Sequence, residues 1–314
     1  MKKLPLLFAL ALPLFLAATL PGQPAPKPNE TDTLLAKMPL FTKDDPWHKD
    51  VSKDPVDPNS DALIASIGLA KPLHPDFGTQ YGIPFQFVDK TTKTYKPTWE
   101  YAADSDKGPY PIPDHPLIEG GADAPKDSDR HILCINKETW QLTEMWHCFP
   151  KGDSWDCGSG AVFDLTKSSV GQRPKGWTSA DAAGLPIFPG LVRYDEAAIN
   201  KAIDHAVRFT IVKSQHGYVA PATHYASNKT DKNLPPMGMR VRLKAGVDIS
   251  IYPPEDQAIL TCLKKYGMIV ADNGSDWFIS GAPDPRWNDD NLNLLKKIHG
   301  KDFEVIKMGE ITTK

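Results

Sequence analysis

The chain has 314 residues, with 36 Lys or Arg, 39 Asp or Glu and a formal net charge of -3 at pH 7. This length suits one large domain or two small ones. The charges are mixed along the chain and form no basic stripe, which argues against binding to nucleic acid.

Residues 1–20 have the layout of a secretory signal peptide. Two lysines follow Met1, and the rest of the segment is almost wholly apolar. The apolar run is at the lower limit for spanning a bilayer and contains Pro5 and Pro13, so cleavage is favoured over a retained anchor. No later apolar run approaches this length. We therefore predict a secreted or periplasmic protein with no membrane span after cleavage.

The next segment is dominated by proline. Residues 21–40 are rich in Pro and Thr and predict a flexible leader. Most of the 30 prolines of the chain lie at or before Pro125, and many stand beside aromatic residues such as Trp47. Disordered tails usually lack such aromatics, so we predict that a single globular domain covers residues 41–307.

The remaining chain alternates short strands with a few helices. The pattern predicts an α+β fold with a hairpin-rich antiparallel β core and helices in the C-terminal half. Asn273-Gly274 is the strongest hairpin signal. The predicted strands are 81–88, 97–102, 131–136, 141–149, 155–165, 207–212, 218–221, 240–243, 268–272, 276–280 and 303–306, and the predicted helices begin at 178 and cover 195–206, 254–266 and 289–298.

The four cysteines suggest one disulfide bond. Gly152-Asp153 fits a two-residue hairpin turn, and that register places Cys148 opposite Cys157. In an oxidising compartment this pair could form a disulfide, with free thiols as the alternative. Cys262 lies in an apolar helical pattern and is predicted to be a small buried residue.

Four stretches carry a resemblance to a known group of proteins. They read GSGAVFDL, GWTSADAAGLPIFPGLVRYDE, HAVRFT and YGMIVADNGSDWFISGAPDPRW, and they begin at Gly158, Gly176, His205 and Tyr266. They resemble a family of secreted, mostly bacterial proteins of uncharacterised function. The resemblance implies export and one continuous domain, and it implies no reaction, cofactor or catalytic residue.

Histidines next to predicted strands are the first candidates for chemistry. If His131, His205 and His224 converge with a carboxylate such as Asp164 or Asp272, they could bind zinc or supply a general base. No HExxH or similar spacing supports a metal site. We therefore favour separate histidines bonded to the backbone and predict neither a metal nor a cofactor.

Carboxylates and tryptophans suggest an alternative chemistry. Glycoside hydrolysis needs two carboxyl groups, and Asp164, Asp181, Asp195 and Glu196 lie in and around the Gly-rich centre. The last three also suit helix N-termini, where negative charge is favourable. Tryptophan rings suit carbohydrate faces, although most such rings belong to a core. The six candidates are Trp140, Trp146, Trp155, Trp177, Trp277 and Trp287.

These patterns predict an enzyme that cleaves extracellular polysaccharide by hydrolysis or elimination. The alternatives are a non-catalytic carbohydrate-binding module and a cell-envelope structural protein. A carboxylate or histidine would serve as acid or base, and an arginine would hold negative charge. The predicted partner is an extracellular polymer, and the oligomeric state is left open. The candidate catalytic residues are Asp164, Asp181, Arg193, His205, Arg208 and His224.

Overall fold

The structure is a computed structural model that describes residues 28–313. Its fold is α+β, as predicted from the sequence. None of the described helices combines the length and apolar character needed to cross a bilayer. The helices are α1 (Glu30–Leu35), α2 (Ser60–Ile67), α3 (Pro254–Lys265) and α4 (Asp289–Leu292). The strands are β1 (His74–Asp76), β2 (Phe85–Val88), β3 (Thr94–Tyr95), β4 (Thr98–Trp99), β5 (Tyr110–Pro111), β6 (Ile132–Asn136), β7 (Gln141–Trp146), β8 (Phe149–Lys151), β9 (Ser154–Cys157), β10 (Ser159–Asp164), β11 (Val207–Ile211), β12 (Arg240–Leu243), β13 (Met268–Asn273), β14 (Phe278–Ser280) and β15 (Phe303–Val305).

Two sheets organise the fold. The larger has six strands in the order β1-β14-β11-β13-β12-β15, and the second has four in the order β10-β7-β6-β2. Two smaller sheets, β3-β5 and β4-β9-β8, lie beside them. The sheets are mixed, because β1–β14, β2–β6, β4–β9 and β11–β13 pair in parallel while the other pairs are antiparallel.

The Asn273-Gly274 hairpin prediction is wrong. Strand β11 pairs in parallel with β13 and antiparallel with β14, so it lies between the two strands that were expected to pair. The backbone N–H of Gly274 donates to the carbonyl of Ile211 on β11 at 2.9 Å. Long-range pairing with a buried strand therefore overrides the local turn preference.

Two of the predicted helices are also revised. The segment predicted as a helix over 195–206 forms only a π-helical turn, Asp195–Asn200, and ends at Lys201 in the left-handed conformation. The helix predicted to begin at Thr178 is absent, and turns replace it. Helix α3 is confirmed, with Pro254 at its first position and Gly267 at positive φ after its end.

The β8–β9 hairpin has the predicted register. Phe149 lies opposite Asp156, and Lys151 lies opposite Ser154. This register places Cys148 and Cys157 next to each other. Both side chains are buried, and both are free thiols. Burial and the adjacent Cys157 thiol raise the pKa of Cys148. The predicted disulfide is therefore not formed in this structure.

The described part of the predicted leader is packed against the domain. Asn29 and Asp32 cap α1 reciprocally, and Arg286 donates to both oxygens of Asp32 at 2.7 and 3.0 Å. Leu35 is buried. A flexible leader is therefore the wrong description for residues 28–40, while residues 1–27 lie outside the described chain. At the other end, Thr312 pairs with Tyr218, so the packed chain extends beyond residue 307.

Asp256 in the first turn of α3 is an unpaired buried acid. It has no exposed surface, and neither carboxyl oxygen has a hydrogen-bond partner among residues 28–313. Burial, helped by the charge of Glu255, raises its pKa to about 7. The unfolded chain loses this proton near pH 4 and the folded chain near pH 7, so this group lowers stability as pH rises from 4 to 7.

We expect Asp256→Asn to stabilise the protein at pH 8, because the amide removes the cost of a buried charge. The free energy of unfolding should rise by about 2 kcal/mol at pH 8 and change little at pH 4. Urea unfolding at both pH values measures this. Asp61→Asn, at an exposed acid in the first turn of α2, is the matched control and should shift it by less than about 0.5 kcal/mol. An equal increase in the free energy of unfolding at both pH values would show that the charge of Asp256 is not the cause.

Candidate functional site

A cavity of about 540 Å³ lies within the described part of the chain. It lies where Trp146 ends β7, Ser159 begins β10 and Asp272-Asn273 ends β13. The loop over residues 178–182 completes the wall. Both large sheets therefore contribute strand ends to one pocket, which is a common way to assemble a ligand site.

A buried ion pair lies at the base of this pocket. Arg208 on β11 donates from Nε and Nη2 to the two carboxylate oxygens of Asp181 at 3.0 and 2.8 Å. Its Nη1 donates to Ser280 on β14. Burial alone would lower the pKa of Arg208, but the Asp181 carboxylate outweighs it and raises that pKa. Asp181 therefore accepts two charge-assisted hydrogen bonds from a permanent cation.

The loop around Asp181 is fixed by short hydrogen bonds. The Ser179 hydroxyl accepts from the backbone N–H of Asp181 at 2.9 Å. Ser159 donates to the carbonyl of Ser179 at 2.6 Å and ties the loop to β10. These contacts connect the second sheet to the charged base of the pocket.

Asp272 is a pocket residue whose pKa is shifted into the neutral range. Burial, together with the negative charge of Asp181, raises its pKa to about 7, against the opposing effect of Arg208. The backbone N–H of Asn273 donates to Asp272 Oδ1 at 2.6 Å. Asp272 thus lies near enough to Asp181 for that residue's negative charge to act on it, and Asp272 is itself protonated below about pH 7.

Two further titratable groups lie behind the pocket. Glu144 on β7 accepts from the backbone N–H groups of Ile187 and Phe188, each at 2.8 Å, and burial raises its pKa to about 7. His131 meets Glu119 Oε2 through Nδ1 at 2.6 Å and the carbonyl of Ala180 through Nε2 at 3.1 Å. Burial would lower the pKa of His131, but Glu119 outweighs it and raises the pKa to about 9.

The cluster of Glu119, Asp129 and His131 does not fit a metal ion. Potential ligand atoms of the three residues lie within 4.8 Å of one another. A metal-bound histidine must offer a free lone pair, whereas the raised pKa and the two hydrogen bonds make His131 a cation that donates from both nitrogens. The cluster is better described as a buried ion pair beside the pocket.

One wall of the pocket is aromatic. The rings of Tyr101 and Trp146 are tilted, with their centroids 6.2 Å apart. Trp146 Nε1 donates to Asp129 Oδ1 at 3.0 Å, which places that carboxylate at the edge of the indole. Gly158 contacts the same indole, since a Cβ at this position would lie 2.1 Å from a ring carbon. The first glycine of the GSG sequence is therefore required by the packing of Trp146.

We expect Gly158→Ala to destabilise the fold and displace Trp146. The added methyl has no space against the ring, and overpacking of this kind costs about 1–3 kcal/mol. Urea unfolding measures the loss, and the tryptophan emission spectrum reports the displacement. Gly246→Ala is the matched control, because no heavy atom lies within 4 Å of a Cβ there. Equal stabilities for the two variants would show that Trp146 does not pack as described.

Three of the six predicted catalytic residues meet at the pocket. Asp181 and His224 line the pocket, and Arg208 lies beneath it, bonded to Asp181. His224 Nδ1 donates to the carbonyl of Ala182 at 2.8 Å, which leaves Nε2 as the nitrogen without a protein partner among the described residues. Of the six tryptophans considered, Trp146 lines the pocket, whereas Trp155, Trp277 and Trp287 are buried in the core.

The other three predicted residues lie elsewhere. Arg193 and His205 belong to a separate buried cluster, where each contacts Glu196, at 2.6 and 3.1 Å. Asp164 lies at the opposite end of β10 from the pocket, where it accepts from Thr166 and pairs with Lys167. Six strand residues span roughly 20 Å, so Asp164 is out of reach of Ser159 at the pocket end. Asp164, Arg193 and His205 are therefore separate from the pocket.

Several residues of the pocket are not predicted as site residues from the sequence. The sequence analysis does not single out Asp129 or Tyr101, and it considers Asp272 only as a partner for histidines. The four family-like stretches contained a usable signal. Each contributes to the pocket or its base, through Ser159, Asp181, Arg208 and Asp272 respectively.

Comparison of the chain with protein-family models, with curated proteins and with solved structures gives no match.

Proposed function

We propose that the protein is a secreted hydrolase that cleaves glycosidic bonds of an extracellular polysaccharide. The observation that carries this proposal is the pair of unlike carboxyl groups at the pocket. Asp181 is bound through both oxygens by Arg208, whereas burial and the nearby charge of Asp181 raise the pKa of Asp272 to about 7. A carboxyl group kept protonated near neutral pH beside ionised groups is typical of the general acid in glycoside hydrolysis.

Asp272 acts as the general acid in this proposal. It donates its proton to the leaving glycosidic oxygen, and the same group can later accept a proton from water. Asp181 is a positioning residue, since its side chain has no exposed surface and both oxygens are engaged by Arg208. Its negative charge keeps the proton on Asp272 in the neutral range.

Asp129 supplies the second carboxyl group. It lines the pocket, is exposed, and lies near enough to Asp272 for its charge to raise that residue's pKa. Its Oδ1 accepts from Trp146, and its Oδ2 has no partner within residues 28–313. A carboxylate in this position can stabilise positive charge on the sugar or activate water. His224 Nε2 is available to accept a hydrogen bond from a sugar hydroxyl.

The lining of the pocket favours hydrolysis over elimination. Elimination from a uronic acid needs a cation to neutralise the sugar carboxylate, and the described lining contains neither Lys nor Arg. A non-catalytic binding module is less consistent with a concave pocket that holds a proton donor in the neutral range. The proposed export rests on residues 1–20 of the sequence.

A panel of polysaccharides tests the proposal. The purified mature protein is incubated with neutral, amine-bearing and acidic polymers, and the products are assayed for new reducing ends and for unsaturated sugars. Hydrolysis predicts new reducing ends without unsaturated products. Unsaturated products would establish elimination instead, and the absence of any product from a broad panel would favour a binding role.

A further inference from the structure

We infer that the pocket selects amine-bearing, positively charged glycans and rejects acidic ones. This inference rests on the proposed function and names the substrate class for the same site. Of the residues that line the pocket, four are aspartates and none is Lys or Arg. The four acids are Asp104, Asp129, Asp181 and Asp272.

Two arginines contact residues of this lining, and both are already paired. Arg208 is engaged by Asp181 and Ser280 below the pocket. Arg173, which donates to the backbone carbonyl of Asp104, directs Nη1 to the carboxylate of Asp106 at 2.7 Å. Among residues 28–313, neither Asp104 nor Asp129 has a salt-bridge partner from Lys or Arg, and the His131 cation within 4.8 Å of Asp129 forms its ion pair with Glu119. Their negative charge is therefore available to a ligand.

These two acids lie beside the aromatic wall. Asp104 belongs to the 3₁₀ turn Ala102–Asp104 that directly follows Tyr101, and Asp129 is bound to the edge of Trp146. A sugar ring stacked on an aromatic face presents its substituents toward the rim of that face. An ammonium group in such a position would form charge-assisted hydrogen bonds, whereas a carboxylate or sulfate would be repelled.

A binding experiment with three matched oligosaccharides tests this inference. The probes are a glucosamine oligomer, the same oligomer fully N-acetylated, and a galacturonic acid oligomer of equal length. Quenching of tryptophan fluorescence is followed by stopped-flow mixing, before cleavage proceeds, at a pH where the amines are protonated. We expect the glucosamine oligomer to bind at least about tenfold more tightly than its acetylated form, and the acidic oligomer to bind weakest.

Asp104→Asn should reduce the preference for the amine to about threefold, and Asp127→Asn should leave it unchanged. Asp127 carries the same charge, is exposed, and lies outside the lining. Thermal unfolding of each variant shows whether it is folded. Tighter binding of the acidic oligomer, or an undiminished preference in folded Asp104→Asn, would overturn the inference.

The same assays distinguish the two proposals. Cleavage of a neutral glycan without any preference for the amine would leave hydrolysis standing and overturn the charge selection. A clear preference for the amine-bearing oligomer without cleavage of any glycan would support charge selection and overturn the proposed hydrolysis. If no oligosaccharide binds, both proposals fail.

Discussion

Replacing Asp272 with Asn should lower kcat on the cleaved polysaccharide by about 10³-fold. The amide keeps the shape of the side chain but cannot donate a proton to the leaving oxygen, and a positioned general acid contributes roughly 10² to 10⁴ in rate. In the unmodified protein, kcat should fall as pH rises through about 7, because Asp272 then loses the proton that it must donate. The slow residual rate of the variant should lack this alkaline decline.

Asp164→Asn is the matched control for this substitution. Asp164 also lies at the end of a strand, but it pairs with Lys167 at the surface and is absent from the pocket lining. We expect its kcat to stay within about twofold of the unmodified protein. If Asp164→Asn and Asp272→Asn lose activity equally, or if neither does, the pocket is not the catalytic site.

Replacing Arg208 with Met should lower the free energy of unfolding by about 3–5 kcal/mol at pH 7. The substitution leaves the Asp181 carboxylate buried without its bidentate partner, and removing one member of a buried ion pair has a cost of this size. Urea unfolding monitored by circular dichroism measures it. The deficit should shrink at low pH, because a buried carboxylate without a cation takes up a proton more readily than in the unfolded chain.

The double variant Asp181→Asn/Arg208→Met distinguishes the cost of leaving a buried charge unpaired from the cost of altered packing. It removes both charges from the base of the pocket, so it should be more stable than Arg208→Met alone at pH 7. Purely additive losses from the two substitutions would mean that Asp181 and Arg208 do not interact as the 2.8 and 3.0 Å contacts require.

Local sequence signals predicted some elements well because short-range chemistry determines them. Pro254 and Gly267 enclose α3, and Gly152-Asp153 sets the β8–β9 register. The Asn273-Gly274 signal was equally local, yet β11 intervenes between β13 and β14. Pairing between distant strands depends on which apolar faces meet, and a window of neighbouring residues does not contain that information.

The same distinction applies to the candidate site. Asp181 and Arg208 stood in distinctive stretches and form one ion pair, although 27 positions separate them. Asp164 and Asp272 looked alike in sequence, because each follows an apolar strand. Only the sheet order separates them, since β13 ends at the pocket while β10 begins there and ends at the surface. Asp104 and Asp129 lie in loops whose positions depend on that packing.

A carboxyl titration measures whether Asp272 is a proton donor whose pKa lies near neutral pH. The ¹³C resonances of the Asp side chains are followed against pH, and the signal lost in Asp272→Asn identifies the group. We expect the Asp272 resonance to titrate with a midpoint at about pH 7. A midpoint near 4, the ordinary range of an aspartic acid, would contradict it.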